Sequence, residues 1–164
     1  MVNYILSYAT LAVLFIVQTT LSRYVDIAGV APDLIFIFAV CYSMYNFPVR
    51  SAVLCVIAGL LADMYSMSFV GVNALIYLYI GIAISNFASI LIKKNLWTVS
   101  LGVFVVSFLY HTVILVVNYI LPGHSTLWYP LLRYVVPTAF YDAVASMVVA
   151  LWARRLSMEK IRGF

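Results

Sequence analysis

Three stretches of this chain, Met1 to Ser22, Met64 to Ile92 and Asn95 to Leu132, contain no Asp, Glu, Lys or Arg. A helix of ~20 apolar residues rises about 30 Å, the thickness of a bilayer's hydrocarbon core. In hydrocarbon the backbone must satisfy its own hydrogen bonds, which leaves helices and closed barrels as spanning folds. Barrel strands alternate apolar and polar residues in ~10-residue segments, whereas these runs are continuously apolar. Composition points the same way: 66% of residues are hydrophobic and 9% charged, against ~45–50% and ~25% in soluble domains. That balance excludes a soluble enzyme, a nucleic-acid-binding domain and a disordered chain. The fold class is an all-α integral membrane protein.

At ~20 residues a span plus short connections, 164 residues hold about six helices and no separate soluble domain. The apolar segments place them at about 4–22, 32–46, 49–66, 70–92, 97–121 and 131–152, in one transmembrane domain covering 1–164. Pro122-Gly123-His124-Ser125 separates the fifth from the sixth. The second and third are short and are divided at Asn46-Phe47-Pro48, because proline opens a helix and cannot continue the one before it. A re-entrant hairpin there would put Arg50 inside the bilayer at a cost of ~2.5–3.5 kcal/mol, so two short full spans are expected. With the amino terminus inside, the cytoplasmic side receives Arg50, Lys93, Lys94, Arg154, Arg155, Lys160 and Arg162, while the outside receives Arg23 and Arg133. This positive-inside bias puts both termini in the cytoplasm. The first segment lacks the basic start and small-residue cleavage site of a signal peptide.

Polar residues at membrane depth are costly, so each one is informative. Asp142 lies near the middle of the sixth segment and His111 at similar depth on the fifth. Two readings of this intramembrane pair stand. One is a buried hydrogen bond, or a neutral Asp142, that fixes how two helices pack; the other is a proton-handling or substrate-binding pair. Ser107 sits one turn from His111, but a Ser/His/Asp hydrolase also needs a nucleophile elbow and an oxyanion hole, and neither pattern is present. A second group, Arg23, Asp33, Asp63 and Arg133, falls near the outer face. It suits an ion-pair network, a polar ligand entrance, or charges solvated by headgroups. Asp63, flanked closely by apolar residues, is expected to anchor neighbouring helices through hydrogen bonds.

Small residues recur four apart at Gly81 and Ser85, Ala58 and Ala62, Ala139 and Ala143, and Ser146 and Ala150. Such spacing lets helix backbones approach closely, and a six-helix bundle needs several such seams internally. Cys41 and Cys55 fall within apolar segments without metal or redox spacing and read as small buried thiols. Trp97, Trp128, Tyr129 and Trp152 lie at segment ends, where aromatic belts anchor membrane proteins. The tail, 153–164, is short and basic and suits contact with anionic lipid.

The stretch from Ala31 to Ser85 carries a further pattern. Pro32-Asp33 opens an apolar helix, a Pro48-centred turn follows, and Gly59-Leu60-Leu61-Ala62-Asp63 leads through a loop to Gly71 and Asn73-Ala74-Leu75. These motifs, with the overall length and basic tail, resemble the rod shape-determining protein MreD family. The resemblance implies a non-enzymatic, multi-pass scaffold in the bacterial cytoplasmic (inner) membrane. Its expected partner is the single-span protein MreC; the indirect partners are MreB, RodA and a class B penicillin-binding protein that build lateral peptidoglycan. It implies that Pro32, Asp33, Gly59, Asp63, Gly71 and Asn73 maintain the fold, beside grooves that receive partner helices. The family is similar in fold to substrate-binding (S-component) subunits of energy-coupling-factor vitamin transporters, which supplies the alternative function: a ligand among the outer polar residues. No cofactor, metal or nucleic acid is expected, and membrane lipids are.

Overall fold

A computed structural model of the chain describes residues 2–21, 32–66, 71–91, 96–120 and 130–156. Among these it holds six helices and no strand: α1 (Val2–Leu21), α2 (Leu34–Tyr45), α3 (Pro48–Ser66), α4 (Val72–Leu91), α5 (Leu96–Ile120) and α6 (Val136–Leu156). A π turn, Leu131–Val135, leads into α6, with the Val136 N–H donating to the Leu131 carbonyl. Pro137, one residue beyond the turn's end after Val136, lacks an N–H, and its ring would strike the carbonyl of Arg133, four residues back, in a regular helix. A wide turn relieves that clash.

The outward-facing side chains are not those of a soluble fold. Ile5, Ile16, Leu101, Leu109, Phe140 and Val148 are exposed, while Asp63, Ser107, Asp142 and Ser146 are buried. An apolar exterior over an interior that also shelters ionisable and hydroxyl groups matches a hydrocarbon surrounding. Three helices are long and apolar enough to cross a bilayer, over Pro48–Tyr65, Trp97–Val117 and Leu131–Ala153. The shorter apolar helices are Ile5–Thr20, Leu34–Tyr45 and Val72–Phe87.

The shortest helix is the innermost one. Every residue from Ile35 to Tyr45 is buried, and α2 packs against all five other helices. Its sequence, LIFIFAVCYSMY, is apolar on every side, as a helix enclosed by protein must be. Twelve residues rise only ~18 Å, short of a ~30 Å hydrocarbon core. An enclosed helix faces no lipid and has no such thickness to match. Its amino end therefore lies within the bundle, where its free N–H groups need protein partners.

α3 and α4 form the most extensive helix pair. A Cβ on Gly81 would come 2.5 Å from Cys55 Sγ, so the Cys55 side chain packs directly on this glycine. Ala58, Ala62, Ala139, Ser146 and Ala150 are buried, placing these small residues in seams inside the bundle. Ser85 Oγ donates to the Asn46 carbonyl over 2.5 Å and Ser100 Oγ to that of Ala143 over 2.7 Å. Cys41 and Cys55 are buried free thiols.

Candidate functional site

Two aspartates close the amino ends of two helices. Asp33 precedes α2; its carbonyl accepts the first helical bond, from Ile37 N, and its Oδ1 accepts from Phe36 N over 3.0 Å. A capping carboxylate stabilises both the orphan N–H and the positive end of the helix dipole. The other N–H groups at this end reach further. Leu34 N donates to Gln18 Oε1 on α1 over 2.7 Å, and Asp33 N donates to Asp142 Oδ1 on α6 over 2.9 Å. Asp142 lies ~16 Å along its helix from Leu131, which sets the depth at which α2 begins.

At α4 the capping residue is supplied by another helix. Gly71 occupies the cap position, since its carbonyl accepts from Leu75 N, but it has no side chain to cap with. Asp63, near the end of α3, takes that role: Oδ2 accepts from Gly71 N over 2.8 Å and Ala74 N over 3.4 Å, and Oδ1 from Asn73 N over 3.1 Å. Gly59, one turn earlier on α3, lets the two helices meet. A Cβ there would overlap Ala74 Cα and lie 2.7 Å from Ala74 N and Asn73 O. Gly71 has φ +98° with nothing within 4 Å of an added Cβ; it is required for backbone conformation, Gly59 for space. Gly71→Ala should cost about 1–2 kcal/mol through conformation alone. Gly59→Ala, which must separate two backbones, should cost about 2–3 kcal/mol and lower the detergent melting midpoint further.

The caps are joined by a buried aromatic and hydroxyl network. Tyr110 OH donates to Asn73 Oδ1 over 3.0 Å, and Tyr77 OH to Asp33 Oδ2 over 3.2 Å. The Tyr110 ring stacks on Phe36 at 4.5 Å and meets Tyr77 edge-on at 5.4 Å. Ser107 Oγ donates to Asp142 Oδ2 and lies 3.1 Å from His111 Nδ1. His111 Nδ1 is also 2.9 Å from the Ser107 carbonyl and 4.0 Å from Asp142 Oδ2. The connected groups reach from Gln18 on α1 to Asp142 on α6, with members on every helix between.

The two groups read from sequence are arranged differently in space. His111 and Asp142 are neighbours on α5 and α6, with Ser107 between them. Asp33, assigned to the outer cluster, shares Asp142's level and bonds to it through its backbone. Asp33 and Asp63 spend their oxygens on N–H and hydroxyl donors. Arg133 is exposed on the π turn, and no ion pair joins it to either acid among the described residues. Arg23, Lys93, Lys94, Trp128, Tyr129, the Pro122–Ser125 turn and tail residues 157–164 lie outside the described residues. Pro32 directly precedes the Asp33 cap, and Trp97 and Trp152 are exposed. Sequence reasoning missed Gln18, Tyr77 and Tyr110. Gln18 was the most accessible of the three, an amide near the end of an otherwise apolar run.

A family model described as rod shape-determining protein MreD matches residues 1–160. No curated protein and no solved structure matches the chain.

Proposed function

The chain belongs to the rod shape-determining MreD family, and from that premise we propose that it is a non-enzymatic scaffold of the bacterial cell-elongation complex. It crosses the cytoplasmic membrane six times with both termini inside, docks MreC, and through it supports lateral peptidoglycan synthesis by RodA and a class B penicillin-binding protein alongside MreB. The observation that carries this reading beyond the family match is the use made of the polar residues. Asp33, Asp63 and Asp142 direct their oxygens to the amino ends of α2 and α4 and to hydroxyls of adjacent helices. They act as clamps, and clamps hold a surface in shape. The surface next to the Asp63 clamp is apolar, with Leu60 and Met64 exposed on α3 and Leu75 and Tyr79 on α4. It suits a single transmembrane helix packed by van der Waals contact.

The test is a mild-detergent pulldown of the tagged full chain from its native membrane, read by mass spectrometry. MreC with the wall-synthesis enzymes is expected. Changing Met64 and Tyr79 together to Ala should cut MreC recovery roughly tenfold, as for central interface residues, with the helical circular dichroism unchanged. Recovery of a transporter coupling subunit with its ATPases, and no MreC, would replace this reading with the substrate-binding alternative.

A further inference from the structure

A groove of about 910 Å³ runs between α1 and α6. Its walls include Ala9, Thr10 and Val13 on α1 and Val148 and Trp152 on α6, and Phe38 of α2 forms part of its floor. It occupies the end of the bundle that carries the start of α1 and the finish of α6. Among the described lining residues Thr10 has the one hydroxyl, and its Oγ1 donates to the Leu6 carbonyl of its own helix over 2.7 Å. The Trp152 indole N–H is the remaining donor among these side chains, and the otherwise apolar wall suits hydrocarbon along the depth of the groove.

Size and charge together select the hydrocarbon. The volume is near the upper end of the ~300–1,000 Å³ of sites that enclose a small molecule. Three turns of a helix ~10 Å across occupy roughly 1,300 Å³, so a partner helix would leave much of itself outside. Acyl chains, thinner than a helix and flexible, can follow the groove. At the groove mouth α6 continues from Trp152 through Ala153 into Arg154 and Arg155. An exposed interfacial tryptophan followed by two cations marks headgroup level and favours an anionic headgroup. We infer that this groove is a binding site for an anionic glycerophospholipid, whose acyl chains lie between α1 and α6 and whose phosphate faces the basic end of α6. The site is separate from the α3–α4 surface proposed for MreC, so either proposal can fail alone.

The full chain is purified from nanodiscs of equimolar phosphatidylglycerol and phosphatidylcholine, and retained lipid is counted by native mass spectrometry. Wild type should retain phosphatidylglycerol over phosphatidylcholine by roughly thirtyfold, the scale of two basic residues at a membrane surface. Ala9→Trp, which fills the groove, should lose most retained lipid of both kinds. Arg154→Gln with Arg155→Gln leaves the apolar groove residues unchanged and should keep lipid while losing the preference. Equal retention of both lipids by wild type overturns the proposal, as does an unchanged preference in the double arginine variant. Undiminished lipid in a folded Ala9→Trp protein, or a single-span protein co-purifying in place of lipid, overturns it as well. Should Ala9→Trp not fold, the arginine variant decides alone.

Discussion

Asp63→Ala should be among the most destabilising single changes in this protein, at about 3 kcal/mol, measured as a shift in the unfolding midpoint of the detergent-purified chain. Asp63 is 2% exposed and accepts three N–H groups at the start of α4. Each buried donor left without a partner costs about 1–3 kcal/mol. Hydrogen bonds between membrane helices measure nearer ~0.6 kcal/mol on average, because the unfolded chain in the membrane finds other partners. That trims the sum but leaves it large, since the α4 cap position is a glycine with no side chain to substitute. Asp63→Asn should do almost as badly. An amide keeps one acceptor and turns the other oxygen into a donor, which would then face the N–H of Gly71 and Ala74, or that of Asn73. A variant with wild-type stability would show that α4 does not depend on this cap.

The sequence carried much of this arrangement and hid a specific part of it. Continuous apolar runs, broken at Pro48, lead to six helices, and six are found among the described residues. Gly59, Asp63, Gly71 and Asn73 stood out as a motif, and in space they form one junction, the meeting of α3 with the start of α4. The depth of α2 was not legible. Hydropathy gives apolar length but not what surrounds it, so a helix facing lipid and a helix facing protein read alike when every side is apolar. For that reason Asp33, which ends an apolar segment, reads as an outer-face residue, although in the bundle it caps a helix that begins beside Asp142. Tyr77 and Tyr110 were hidden for a related reason: tyrosine is common in this chain, with 13 copies, and only tertiary contact separates a buried hydroxyl from an interfacial one.

Asp142 separates the two readings of the intramembrane polar pair, because here the asparagine variant should behave unlike Asp63→Asn. Asp142 is wholly buried; Oδ1 accepts from Asp33 N and Oδ2 from Ser107 Oγ. Asp142→Ala removes both and leaves the Asp33 N–H at a buried helix start, an expected loss of about 2 kcal/mol. Asp142→Asn keeps an acceptor for that N–H. Its new amide donor then faces the Ser107 hydroxyl, which can accept as readily as donate; with the His111 proton moved to Nε2, that hydroxyl can turn its own hydrogen to Nδ1, 3.1 Å away, in exchange for the Nδ1–H bond to the Ser107 carbonyl. The substitution, which exchanges one hydrogen bond and leaves no buried N–H without a partner, should therefore stay within about 1 kcal/mol of wild type. Because a clamp depends on geometry and not on a proton, it should also restore rod shape in cells lacking the native protein. Proton handling predicts the opposite for the same variant: a folded protein that leaves the cells round. Measured together, stability and cell shape distinguish the two, since only the clamp requires Asn to succeed in both where Ala fails in both.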